Sequence, residues 1–472
     1  MESPAPARPN STQKTTAGST QKRSTSETND ARRRKCVAFA LVFAAAFGVR
    51  LLCWNDVRGE ASKVQTAVTE NYRQTARLIR ENGAASLFLR DSPTNDPDLL
   101  GHPPGYPVVL ASVNGLFGES DAAVQIFQAA CDALAAAFVF LIAAELLTFG
   151  VGLIAGALAA LAPQFCWNSV MLLPDTLAVL PLLAAFYLLL RARAGRGMWK
   201  ALAAGALVGA SCWLRANALL LAPFLALFAP VLFARGARLR LSSALVGGAV
   251  LALAPLTLRN AVVYGHFIPA SLGAGQTFVE GIGDYDPERR FGLPATDVEL
   301  MKMEAEEHGR PDYASTLFGA DAVARDRERT RRALSVVAAH PLWFSGVMLR
   351  RAGSMLRLER TPLASTLPVS EGWTRAPRLA VRAAQKLFVT AVFLPLYLAG
   401  VVLLIRARRR RELAALVAVP LYYLCAQSAL HTEYRYVLAV HYLLFIAAAA
   451  ALYHAGLFAR DVWAERVRPR KA

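Results

Sequence analysis

The chain has 472 residues, of which 55% are hydrophobic and 18% charged, with mean hydropathy +0.34 and a formal net charge of +18. Its apolar residues arrive in charge-free runs of about 20, the thickness of bilayer hydrocarbon, which excludes a soluble globular enzyme, a disordered protein and a fibre. The basic surplus first suggests nucleic acid, but short basic loops of a membrane protein give the same total.

Residues 1–35 are rich in Ser, Thr, Lys, Arg and Pro and end in Arg32, Arg33, Arg34 and Lys35. This stretch is predicted to be a disordered basic cytoplasmic tail, too long and polar for a signal peptide. Asn10-Ser11-Thr12 is a glycosylation sequon that such a placement makes unusable. Cys36 to Trp54 reads as the first span. Further apolar segments lie near 121–147, 151–165, 170–190, 201–214, 216–234, 243–262, 385–405, 413–430 and 436–458, about ten spans in all, with 151–165 and 201–214 short. Alternation then puts every strongly basic short segment on one side: the N-terminal tail, Arg191 to Arg196 with Lys200, Arg235 to Arg240, Arg406 to Arg411, and the tail with Arg466, Arg468, Arg470 and Lys471.

The predicted fold class is an all-α polytopic membrane protein. Its organisation is a tail (1–35), an N-terminal transmembrane module (36–262) with a first outer loop (55–120), a large extracytoplasmic loop (263–384), C-terminal transmembrane helices (385–458) and a basic tail (459–472). The two outer loops hold most polar residues that could do chemistry. Within them Val64–Ile79 and Pro107–Phe117 read as interfacial helices. Gly152-x-x-x-Gly156 and Gly205-x-x-x-Gly209 point to close helix packing. Cys36, Cys53, Cys131, Cys166, Cys212 and Cys425 show no metal-ligand spacing and read as small core residues.

Candidate chemistry begins just past the first span, at Asp56 and at Glu70 on an amphipathic helix. Next comes Gly101-His102-Pro103-Pro104-Gly105-Tyr106-Pro107, whose prolines fix several φ angles and make a rigid corner at the membrane surface. Asp175, after Pro174, either caps a helix or faces a cavity. Arg215 and Arg259 stand at outer span ends, where snorkelling is the plain alternative to anion binding. Arg435 lies in Glu433-Tyr434-Arg435-Tyr436, where an ion pair with Glu433 is the plain alternative. Asp284-x-Asp286 alone is weak support for a metal, and His308 and His340 have no partner spacing.

These residues together resemble a known family. The order is an outer acid beside Tyr72-x-x-x-Ala76, then His102-Pro-Pro-Gly-Tyr-Pro, then Gln125 and Gln128. Leu-Leu-Pro174-Asp175, Trp213-Leu-Arg215-Ala-Asn217, Arg259-Asn260 with Gly265-His-Phe-Ile-Pro269, and Glu433-Tyr-Arg435-Tyr436 follow. Over about 36–458 the chain is similar to bacterial GT-C-type glycosyltransferases of the family 39/83 kind, relatives of protein O-mannosyltransferases and of the lipid A aminoarabinose transferase. The resemblance implies a GT-C-like helical bundle in a bacterial inner membrane with both termini cytoplasmic, and an extracytoplasmic site. There a polyprenyl-phosphate sugar donor would give up its sugar, with inversion, to a glycan, lipid or protein acceptor. It implies a first-loop acid as general base, Glu70 or Asp56, and donor contacts from His102, Tyr106, Asp175, Arg259 and Arg435; a divalent metal is left open. The family's usual acid stands three or four positions before the Tyr, where this chain has Val68 and Thr69, and a shift of one or two helical positions turns a side chain by roughly 100–200°.

Other functions are weighed by their own signatures. A transporter or flippase of lipid-linked saccharides should show internal repeats and broken midplane helices; none is visible as a fixed period, and the ionisable groups gather at one face. A non-catalytic scaffold would need no outer carboxylates. A nucleic-acid tail would interleave aromatics with its basic residues, which this one does not.

Overall fold

The computed structural model describes residues 14–192, 197–360, 368–369 and 371–467. Asn10, Arg193, Arg196, Arg468, Arg470 and Lys471, named above, lie outside them. The described residues form helices joined by loops, with no strand among them. Helix α1 runs Lys14–Ala61. The predicted boundary at residue 35 falls inside it, where no Gly or Pro stands between Ser19 and Phe47 to stop the backbone ladder. Helices α2 (Thr66–Asn82) and α3 (Gly105–Phe117) are the two expected amphipathic pieces, packed on each other outside the bundle.

The bundle continues with α4 (Asp121–Leu146), α5 (Phe149–Leu161), α6 (Pro163–Val170), α7 (Asp175–Arg191) and α8 (Met198–Leu214). Then come α9 (Leu221–Leu227), α10 (Ala229–Leu232) and α11 (Arg238–Tyr264). Four further helices, α12 (Ala274–Gly283), α13 (Asp297–His308), α14 (Ala322–Ala339) and α15 (Pro341–Met355), make a cap with its own core of Val279, Ile282, Leu300 and Phe344. Glu304 is buried between Arg325 and Arg329 there, at 2.6 and 2.7 Å. The large outer segment is thus a folded unit rather than a solvated loop. Helix α16 (Arg375–Gln385) bends by 61° into α17 (Thr390–Arg406), and α18 (Arg410–Ser428) and α19 (Leu438–Val467) close the bundle.

By length and composition, four described helices can cross a membrane, or up to seven if each bent pair is one span. That is fewer than the ten apolar runs in the sequence. The difference lies in segments such as α8, of 17 residues, and in α5 and α6, which Pro163 breaks into a pair bent by 52°.

Glycine sets the tightest crossing. A Cβ at Gly205 would lie 1.9 Å from the Leu245 carbonyl oxygen, and one at Gly248 would lie 2.1 Å from that of Leu202, so α8 and α11 meet backbone to backbone. The break at Pro163 is served by Arg50, fully buried in α1, which donates to the carbonyls of Ala159 and Ala160 and pairs with Asp132 at 2.6 Å. Carbonyls freed at membrane depth find no water, so a buried guanidinium with its counter-ion satisfies them.

The bundle has two distinct ends. At one, Glu145 pairs with Lys35 and Arg191 at 3.5 and 3.6 Å, joining the basic stretch within α1 to the end of α7. At the other stand Asp56, Asp121, Asp175, Arg215, Arg259 and Arg435, beneath α2, α3 and the cap.

Candidate active site

The prolines of the His102 corner turn the chain into α3, and Gly105 lets it lie against the end of α8: a Cβ there would meet the Trp213 carbonyl oxygen at 2.4 Å. Tyr106 then points inward. It is fully buried, and its hydroxyl donates to Gln128 Oε1 at 2.7 Å. Gln128 in turn donates to the carbonyls of Ser169 and Met171, closing the end of α6. Tyr106 is therefore an anchor of the corner and does not line the cavity, contrary to the donor contact expected of it.

A cavity of about 480 Å³ opens between α2, the corner, the ends of α7 and α8, and the cap. Its charged centre is a cluster around Asp175. Asp175 Oδ1 accepts from Arg215 Nε at 2.8 Å, and Oδ2 lies 3.6 Å from Arg435 Nε. Arg435 Nη2 donates to Glu433 Oε1 at 2.7 Å, and Arg215 lies 4.3 Å over the Tyr436 ring. The expected ion pair of Arg435 with Glu433 is present. The cluster is nevertheless incomplete: Arg435 Nε and Nη1 and Asp175 Oδ2 are buried without a hydrogen-bond partner. Buried donors are rarely left so, and two unmet N–H donors of one guanidinium on a cavity wall are what an anion would satisfy.

His102 lines the same cavity and packs on Tyr72, with ring centroids 5.3 Å apart. Burial, and then the cations Arg215 and Arg435, push its pKa down to about 4. It is a neutral donor or acceptor at neutral pH. The apolar part of the lining comes from Val68, Leu173, Leu219, Leu272, Phe318 and Leu430.

The structure does not bring either expected base into this cavity. Asp56 has a side chain only 1% exposed and pairs with Arg378 at 2.7 Å and Arg382 at 2.8 Å, both on α16. Glu70 points to the other side of α2. Its side chain is 55% exposed, pairs with Arg73 at 3.2 Å and borders a separate cavity of about 380 Å³ with Arg77, Glu119 and Asp121. The helical rotation that moved Glu70 away leaves Val68 on the cavity wall. Arg259 is likewise turned to structure. It donates to the Leu87 carbonyl at 3.0 Å, to Asn260 at 2.8 Å and to Asn95, tying the first outer loop to the end of α11.

The cavity acids are instead Glu280, Asp297 and Glu433, with His431 beside them. Glu280 is 5% exposed, and Gln276 donates to its Oε1 at 2.9 Å. Burial raises its pKa to about 7, against the bond from Gln276 and the nearby His431. His431 Nδ1 lies 2.7 Å from Asp284 Oδ2, which holds the imidazole pKa up despite burial. Asp286 faces elsewhere, accepting from the Phe291 amide at 2.9 Å, so Asp284 and Asp286 do not form a metal pair. Among the described residues no three His, Cys, Asp or Glu side chains are grouped to hold a metal ion. Glu280 was visible in the sequence only as one acid of many; no motif marks it.

Residues 101–258, about a third of the chain, match the family described as dolichyl-phosphate-mannose-protein mannosyltransferase. No curated protein matches. Among solved structures, the Archaeoglobus fulgidus oligosaccharyltransferase tethered to an acceptor peptide containing the NVT sequon has TM-score 0.50 and 15% identity, covering 89% of this chain and 49% of that one. The oligosaccharyltransferase AglB of the same organism, in complex with an inhibitory peptide and a dolichol-phosphate, has TM-score 0.50 and 16% identity over 94% and 53%. ArnT from Cupriavidus metallidurans bound to undecaprenyl phosphate has 16% identity over 88% and 77% but TM-score 0.37, too slight a likeness to argue from. The chain spans about half the length of the oligosaccharyltransferases it matches. The shared property is the fold, a GT-C-type helical membrane bundle.

Proposed function

From a GT-C-type fold and a family match over residues 101–258, we propose that the protein is an inverting membrane glycosyltransferase. It moves a hexosyl or pentosyl group from a polyprenyl-phosphate donor to a glycan, lipid or protein acceptor outside the cytoplasm, with both termini cytoplasmic in a bacterial inner membrane. The observation that carries the reading is the incomplete Arg215–Asp175–Arg435 cluster on the wall of a half-apolar cavity.

The donor is a sugar esterified through its anomeric carbon to a lipid phosphate. Its phosphate accepts from Arg435 Nε and Nη1, while Asp175 and Glu433 hold the two guanidinium groups in place. Leu173, Leu219 and Leu430 offer apolar surface to the first isoprene units. As the bond to the anomeric carbon breaks, the phosphate gains a second negative charge, and fixed N–H donors stabilise that charge most in the transition state. Neutral His102 adds one hydrogen bond to phosphate or sugar without competing as a cation.

The test incubates membranes containing the full-length protein with a panel of labelled polyprenyl-phosphate sugars and asks whether label leaves the lipid for another molecule. Transfer of one label supports the reading. A flippase, the alternative, moves the labelled lipid between leaflets and leaves the sugar–phosphate bond intact.

A further inference from the structure

Three carboxylates line the cavity, and their surroundings separate them. Glu433 is engaged by Arg435 at 2.7 Å. Asp297 is exposed in the first turn of α13, its Oδ1 accepting from the Val298 amide at 2.8 Å. Glu280 alone of the three is buried, and among the described residues no arginine or lysine pairs with it. Helix α2 and Gln65 just before it supply Gln65, Val68 and Tyr72 to the cavity and no acid.

Glu280 is also fixed relative to the cation cluster. The His431 amide donates to the Thr277 carbonyl at 2.6 Å, which ties α12 to the loop carrying Glu433 and Arg435. Gly281 makes this approach possible, since a Cβ there would stand 2.6 Å from the His431 nitrogen. An inverting displacement needs the attacking oxygen and the leaving oxygen on opposite faces of the sugar carbon. A carboxylate from the cap and guanidinium groups from the bundle, on one cavity, suit that division.

We propose that Glu280 is the general base of the transfer reaction, an inference that rests on the glycosyltransferase reading above. Its carboxylate takes the proton of the acceptor hydroxyl. The hydroxyl oxygen supplies the electron pair of the new bond to the anomeric carbon. The bond from that carbon to the phosphate oxygen breaks with its electron pair, and polyprenyl phosphate leaves against Arg435. Gln276, bonded to one carboxylate oxygen, orients the group. A buried carboxyl titrating near neutrality is matched to such work. The charged groups around it are His431, Asp284 and Asp297, with Arg351 of α15 bonding the Gly281 carbonyl and Asp326 and Arg329 of α14 against the start of α12.

The experiment compares wild type, Glu280→Gln and Glu280→Ala as full-length protein in membranes, using the labelled donor panel for transfer and labelled polyprenyl phosphate for binding. Expected for Glu280→Gln is a loss of transfer of about 100-fold or more, with lipid-phosphate binding within about twofold of wild type. Formate should restore part of the transfer in Glu280→Ala, and the fall of wild-type transfer below about pH 7 should disappear in the variants. Transfer by Glu280→Gln within about tenfold of wild type overturns the base and leaves the function standing, as does loss of transfer together with binding and without formate rescue. A wild type that moves no label overturns both.

Discussion

Two buried clusters at the outer end of the bundle use the same parts, one carboxylate and two arginines, and differ in how they are finished. Asp56 gives one oxygen to Arg378 and the other to Arg382, at 2.7 and 2.8 Å, and clamps the end of α1 to α16. Asp175 gives one oxygen to Arg215 and only approaches Arg435 with the other, leaving unmet donors on a cavity. Burying charge is costly in both places. The closed cluster returns that cost as structure, whereas the open one leaves part of it unrecovered within the protein. Residue type does not separate the two; hydrogen-bond saturation does.

That distinction can be broken at several points. The largest effect is expected at the closed cluster: Asp56→Asn removes the buried carboxylate charge that Arg378 and Arg382 both bond and should cost about 3–5 kcal/mol of stability, read as a lowered thermal midpoint in detergent. Unchanged stability would mean that the clamp carries no weight. At the open cluster, Arg435→Ala should reduce binding of labelled polyprenyl phosphate by about 10–100-fold, the worth of charge-assisted hydrogen bonds, with little change in the thermal midpoint. Equal binding by the variant would sever the cluster from the donor.

His102 offers a pH test of the cavity's electrostatics. Its folded pKa of about 4 lies below its ordinary 6.5, so the native state resists the proton that the unfolded chain accepts. Its contribution to stability is complete above pH 6.5 and is lost as pH falls towards 4. His102→Asn should remove that part of the acid sensitivity when midpoints are measured across the window. The smallest effect is expected at Glu70→Gln, where exposed pairs with Arg73 and Arg77 are worth about 0–1 kcal/mol. Transfer should stay within about threefold of wild type; a large loss would return the base to α2.

The sequence carried much of this. Hydropathy and the placement of Arg and Lys were enough for a helical membrane bundle with two unlike ends, and Lys35, Glu145 and Arg191 do meet at the basic one. The Pro-Pro-Gly-Tyr-Pro corner was legible because proline and glycine act through local geometry. Arg435 with Glu433 was legible because the partners are two residues apart. The partners of Asp56 were not legible because they lie more than 300 residues away on α16. Those of Arg259 were not legible because a span-end arginine looks the same in sequence whether it meets a lipid phosphate or the Leu87 carbonyl.

Hydropathy and charge thus determined the class of the molecule, a helical membrane bundle, since that depends on the solvent each short segment prefers. Which carboxylate faces the cavity was decided only by tertiary structure. A rotation of one or two positions along α2 turns Glu70 outward and Val68 inward, and the packing of α12 on the loop before α19 sets Glu280 on the same cavity as Arg215 and Arg435. Such contacts join segments far apart in the chain, and no local pattern encodes them.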